Sequence, residues 1–178
     1  MDVSILHFIN LQFSNSFFDI FFPSITDLHK TWQFKFLALP TLFGLLVFYR
    51  RWTGFFLFLG LAISFSLSDK FGSVLKHFWQ RARPFEVDSA IIQRSPAGGF
   101  SFPSNHSINM FCFAVFLAYF FPRYRIPFFI IAFLVAYSRL YNGVHFPSDV
   151  MSGALIGSGF GYLGARLTDL WNKRRIRG

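Results

Sequence analysis

His145 and Asp149 stand four residues apart at the end of the stretch that begins Ser138-Arg139. Two shorter polar stretches precede it: Lys76 followed by Arg83-Pro84, and Pro103-Ser104-Asn105-His106. Together they hold three cations, two histidines and a carboxylate beside a serine. This set has what phosphoryl transfer through a histidine requires. A neutral imidazole attacks phosphorus through one ring nitrogen while the other keeps its proton. A carboxylate that holds this N–H fixes the tautomer and stabilises the cation that forms. His145 is therefore the candidate nucleophile and Asp149 its partner. The leaving oxygen must take a proton, and a second histidine titrating near about 6.5 can give it at neutral pH. His106 is the candidate general acid.

Lys76, Arg83 and Arg139 are the candidate phosphate clamp. A transferring phosphoryl group spreads negative charge over its equatorial oxygens, and preset cations stabilise it. Arginine forks suit two oxygens at once. Ser104 is placed to cap a helix, and the backbone N–H groups of Asn105 and His106 would point at the same anion. Each residue alone has an ordinary explanation. His-x3-Asp is a common helix start, His106 could bond nearby backbone, and Lys76 could snorkel to an interface. Only the combination favours catalysis.

The elements that must position these residues are mostly apolar. Of 178 residues, 53% are hydrophobic and 14% are charged, and 29 are Phe. A soluble domain would carry about a quarter charged residues, so the expectation is an integral membrane protein with one domain over 1–178. Apolar runs lie near 33–50, 54–75, 105–121, 126–141 and 148–170. A crossing helix needs about 20 residues. The expected fold is an all-α membrane bundle of five transmembrane helices, or six if residues 1–30 include a span. Asn10, Gln12, Ser14, Asn15, Ser16 and Asp19 interrupt that first segment, which reads as interfacial helices. Pro40 is placed to kink the first run. Residues 76–104 form the one long hydrophilic loop, the expected active-site loop. Gly153, Gly157 and Gly161 recur every four residues, which suits a close helix–helix seam.

With five spans, Arg50, Arg51, Arg123, Arg125, Arg166, Lys173, Arg174, Arg175 and Arg177 share one side. The positive-inside rule puts that side in the cytoplasm. All three polar stretches then share the opposite face. The expected location is a bacterial inner membrane, with the site outside or in the periplasm. The net charge of +9 is explained by this topology, and no nucleic-acid motif accompanies it. Cys112 cannot form an internal disulfide and reads as packing. Residues 1–30 lack a basic start and a small-residue cleavage site, so no signal peptide is expected. Asp69, Glu86, Asp88 and Asp149 lie in separate settings, and the clamp cations would repel Mg²⁺. No metal and no cofactor are expected. His7, His29 and His77 read as interfacial, while Arg81 and Arg94, with the 85–102 loop, could read a headgroup.

Lys76-x6-Arg83-Pro84, Pro103-Ser104-x-His106 and Ser138-Arg139-x5-His145-x3-Asp149 resemble the three-part signature of the type 2 phosphatidic acid phosphatase family. The resemblance implies the same roles: His145 phosphorylated, Asp149 its partner, His106 the acid, and Lys76, Arg83, Ser104 and Arg139 on phosphate without a metal. Asn105 stands where many members have Gly, and Asn tolerates left-handed backbone better than most residues. Membrane members often have six spans, one more than is read in this chain. The apolar bundle resembles a compact bacterial lipid phosphatase. It implies a phospholipid or isoprenoid-phosphate substrate in the bilayer. An outward site favours lipid A 1-phosphate or undecaprenyl pyrophosphate over phosphatidylglycerophosphate or phosphatidic acid. The alternative is a non-enzymatic transporter or flippase that binds anionic headgroups. It would use the cations but would not need His145 paired with Asp149. A non-catalytic scaffold would need only the glycine seam.

Overall fold

The computed structural model describes residues 2–28 and 31–177, and His29 and Lys30 lie outside the described residues. The described chain is helical, with no strand among those residues. It opens with α1 (Asp2–His7), a π-helical turn (Phe8–Gln12) and α2 (Ser16–Thr26). Asn15 starts α2 by accepting from the Phe18 N–H at 3.0 Å. None of these pieces approaches the roughly 20 residues a crossing needs. They lie across the end of the bundle that carries the polar stretches. Leu6, Ile9 and Phe22 bury against Ile91, Leu140, Tyr141 and Phe146. Asn10, fully buried, acts as a polar staple: its amide donates to the carbonyls of Ile92 (2.9 Å) and Tyr141 (2.8 Å) and accepts from the Ile92 N–H.

A second π-helical turn (Phe34–Ala38) leads into α3 (Leu39–Trp79). Pro40 lies in the first turn of α3, directly after the π-helical turn. The break comes at Arg51, with φ 51° and ψ −130°. There the chain doubles back, so Phe43 meets Phe58 edge to face at 4.9 Å between ring centroids. The arms 39–50 and 52–79 correspond to the first two apolar runs. α4 (Pro84–Val87), α5 (Asn105–Phe120), α6 (Arg125–Tyr141) and α7 (Pro147–Arg177) complete the chain. The expected loop is shortened, because α3 persists to Trp79 and Gln80 ends it in the left-handed region.

α5 is the central helix, packed against α3, α6 and α7. Apolar residues surround it, as suits a helix buried on all sides. The outer faces carry Leu45, Phe48, Ile130, Phe133, Leu155, Tyr162 and Trp171, all exposed, a coat suited to lipid rather than water. Two stretches, Phe36–Val87 and Pro122–Tyr141, are long and apolar enough to cross a bilayer, while α5 at 16 residues is shorter. Arg50 lies over the Phe121 ring and Arg175 over the Phe56 ring. The Arg51 turn, the α5–α6 link and the end of α7 therefore share one end of the bundle. The polar stretches gather at the other.

The glycine seam is real and faces α5. A Cβ at Gly153 would stand 2.6 Å from the Ser104 carbonyl oxygen, and one at Gly161 2.5 Å from that of Cys112. A Cβ at Gly157 would run into the Ile108 carbonyl, whereas Gly159 has open space around it. Gly157→Ala should lower the thermal unfolding midpoint in detergent, since the obstacle is backbone and cannot swing aside; such overpacking costs about 1–3 kcal/mol. Gly159→Ala, the control, should leave the midpoint unchanged or raise it, because Ala is the better helix former. Equal effects of the two would refute the seam.

Candidate active site

Arg83 and Lys76 shape the loop between α4 and α5. Arg83 caps α4, with its own N–H held by the Glu86 carboxylate at 2.7 Å. Its buried guanidinium donates to the carbonyls of Gly98 (2.8 Å), Gly99 (2.9 Å) and Val144 (2.7 Å). Lys76 donates to the carbonyls of Pro103 (2.6 Å), Phe100 (2.9 Å) and Ser101 (3.1 Å). These carbonyls satisfy the two cations and fold residues 98–103 around the imidazole of His145. Arg83 Nη1 is 3.4 Å from His145 Nε2, so one positive charge lies beside that ring nitrogen.

His145 and Asp149 are both buried. Gly143 turns the chain before them with φ 70°, and its missing Cβ leaves room for the Ile92 carbonyl. Pro147 begins α7, which places Asp149 in its first turn, where a carboxylate is favoured by the free N–H groups. Asp149 Oδ2 lies 3.6 Å from His145 Nδ1, longer than a hydrogen bond. Ser101 sits between them. Its hydroxyl donates to Asp149 Oδ2 at 2.6 Å and is 3.4 Å from His145 Nδ1. The Phe146 N–H also reaches Asp149 Oδ2, at 2.8 Å. This side of the ring suits the N–H, leaving Nε2 with the lone pair toward Arg83.

Ser104 is buried at the start of α5, where its hydroxyl accepts from the Ser107 N–H at 3.5 Å and its own N–H meets the Asp149 carbonyl at 3.1 Å. The Asn105 side chain points away, donating to Asp69 Oδ1 (3.1 Å) and Ser73 Oγ (3.3 Å) on α3. What Asn105 can offer an anion is its backbone N–H. Arg139, also buried, donates to Thr26 Oγ1 at 2.6 Å. His106 Nε2 lies 3.7 Å from Asp27 Oδ1, and the Asp27 charge also acts on Arg139.

Several neighbours were not legible as site residues. Ser101, Thr26, Asp27 and Asp2 belong to none of the three stretches. Ser101 had a weak signal, a hydroxyl two residues before Pro103 in the same loop; the N-terminal residues had none. Arg94 is committed to structure, donating to Asp19 (2.7 Å) and Ser14 (2.8 Å) and lying over the Tyr141 ring. His7 is paired rather than free at an interface, 2.6 Å from Asp88 Oδ2. His77 bonds the Ser73 carbonyl at 2.8 Å.

The comparisons with known proteins bear on this geometry. The PAP2 superfamily profile matches residues 53–173. The chain belongs to the PAP2 superfamily. The matched span runs from just past the Arg51 reversal to residue 173, one turn short of the end of α7, and takes in all three polar stretches. It leaves out the segment with Asp2, Asn10, Thr26 and Asp27. Among curated PAP2 relatives, a lipid A 4'-phosphatase of Bacteroides thetaiotaomicron is 36% identical over 110 residues, covering 57% of this chain and 48% of its own. An undecaprenyl-diphosphatase of Sulfolobus acidocaldarius is 36% identical over 109 residues, covering 60% of this chain and 53% of its own. The chain thus spans about half the length of the curated relatives it matches. The crystal structure of Aquifex aeolicus LpxE superposes with a TM-score of 0.74 at 28% identity, covering 93% of this chain and 94% of that one.

Burial pushes the His145 imidazole down from 6.5 to about 3; Asp149 opposes this, while Arg139, Lys76 and Arg83 add to it. In the PAP2 site without substrate, His145 therefore stays neutral through the physiological range. Its folded pKa lies below its unfolded one, so its contribution to stability is complete above 6.5 and is lost as pH falls toward 3. A ¹⁵N-histidine NMR titration of the protein in detergent should show no protonation of His145 between pH 8 and pH 5, assigned by loss of its signal in His145→Ala. A midpoint near about 6.5, the free-imidazole value, would contradict this.

Proposed function

We propose that this PAP2 chain is a membrane lipid phosphatase working through a phosphohistidine on His145. The observation that carries the reading is the arrangement about the imidazole. Nδ1 faces Ser101 and Asp149, and Nε2 faces Arg83. In the first step the Nε2 lone pair forms a bond to phosphorus as the bond to the leaving oxygen breaks. His106 gives that oxygen its proton. In the second step water attacks phosphorus, the P–N bond breaks, and His106 takes the proton back. Asp149 offsets the charge that builds on His145. Lys76, Arg83, Arg139, Ser104 and the N–H of Asn105 hold the phosphate oxygens in turn. Preset cations do here what a metal does elsewhere, so the reading is metal-independent.

The apolar outer coat supports five crossing helices, counting the two arms of α3, with residues 2–26 lying over the site end. The basic end, with Arg50, Arg51, Arg123, Arg125, Arg166, Lys173, Arg174 and Arg175, supports a cytoplasmic C-terminus and a site facing outward. An outward site and the names of the relatives favour a lipid A phosphate or undecaprenyl pyrophosphate as substrate. Purified protein in detergent with EDTA should release phosphate from one of these faster, by kcat/KM, than from phosphatidylglycerophosphate or phosphatidic acid. His145→Ala should reduce turnover at least about a thousandfold while the protein stays monodisperse. Full turnover in that variant would sink the phosphohistidine.

A further inference from the structure

Arg81 is one of the six positions between Lys76 and Arg83 that the first stretch left without a role, yet it makes the shortest ion pair of Asp149 among the described residues. Its Nη1 is 2.6 Å from Asp149 Oδ1 and 2.7 Å from Ser148 Oγ, its Nη2 is 2.8 Å from Asp2 Oδ2, and its guanidinium lies 4.0 Å over the Phe146 ring. Asp2 also accepts from the Ser148 N–H at 2.9 Å, so a carboxylate from α1 caps the first turn of α7. We propose that Arg81 is a positioning residue for the reaction: it holds Asp149 with Oδ2 toward His145, and Asp2 holds Arg81.

The two oxygens of Asp149 have separate partners. Oδ2 takes the Ser101 hydroxyl and the Phe146 N–H and faces His145. Arg81 is the partner of Oδ1. Without it, a buried charged oxygen would be left unpaired, and the carboxylate would turn to find a donor. Lys76 on α3 and Arg83 after it also act on Asp149 through charge, but their donors go to loop carbonyls and to the edge of His145. Arg139 on α6 donates to Thr26. Arg81 alone among these cations bonds the carboxylate. Its planar fork leaves one orientation that serves Asp149, Ser148 and Asp2 together.

This inference rests on His145 as the nucleophile. The test uses the full chain in detergent, dioctanoyl phosphatidic acid as probe, and the variants Arg81→Gln, Arg81→Lys and Asp2→Asn. Arg81→Gln should lower kcat, per folded monodisperse protein, about tenfold or more, the scale on which loss of a partner that orients a working side chain acts, with KM within about twofold. Arg81→Lys, which keeps a cationic donor to Asp149, should recover much of that loss. Asp2→Asn should give a smaller loss in kcat. The ¹⁵N signals of His145 should change from a single tautomer to a mixture in Arg81→Gln. A raised KM with unchanged kcat would instead make Arg81 a headgroup contact. An unchanged His145 tautomer would overturn the proposal, even with activity lost. If Arg81→Gln does not fold, Asp2→Asn decides through the same tautomer signal. Turnover surviving in His145→Ala would fell the underlying mechanism, whereas an inert His145→Ala beside a fully active Arg81→Gln would fell only this inference.

Discussion

A carboxylate with no exposure, Asp149, is the constraint on which the rest of the site depends. A buried charge must be paired and hydrogen-bonded or it is very costly. The fold meets this with a hydroxyl from the 98–103 loop, the N–H of Phe146 just ahead of its own helix, and a guanidinium from just beyond α3. Each donor comes from a different segment, so satisfying Asp149 also fixes where those segments meet. His145 sits inside that junction and inherits its position from it.

The seam between α5 and α7 supplies the second constraint. Gly153 meets the Ser104 carbonyl, and above it the Ser104 N–H meets the Asp149 carbonyl. Ser104 and His106 begin one helix, and Asp149 begins the other. The absence of side chains at Gly153, Gly157 and Gly161 therefore does more than stabilise a bundle. It sets the separation of two helix starts, one with Ser104 and His106 and the other with the carboxylate beside His145. Packing in the apolar layer and geometry in the polar layer are one property of one interface.

The N-terminal segment completes the site from outside the PAP2 span. Thr26 meets Arg139, Asp27 lies by His106, and Asp2 bridges Arg81 and Ser148. It stays in place through Asn10, buried under the loop that carries Ile92, and through Arg94 clasping Asp19. Its apolar residues Leu6, Ile9 and Phe22 bury against the bundle, while its Asn, Ser and Asp residues face the bundle's polar end. Here they exchange polar contacts with a site that has an excess of cations.

The helices were legible because apolar runs of the right length leave few alternatives, and the runs near 105 and 126 became α5 and α6 nearly residue for residue. The seam was legible because glycines every four residues have few other uses in such a helix. The reversal of the chain was not placed, because the apolar pattern marks where a run ends and is silent on how the backbone turns there. The actual reversal at Arg51 left only a paired arginine at the end of a run. The three polar stretches fixed which residue types can do chemistry, since spacing and composition are local properties. Which oxygen of Asp149 meets Ser101 and which meets Arg81, where the N-terminal carboxylates land, and which way Asn105 turns are contacts between residues as many as 146 positions apart. Such contacts are decided only when the helices pack, because nothing local in the chain encodes which distant donor will come to hand.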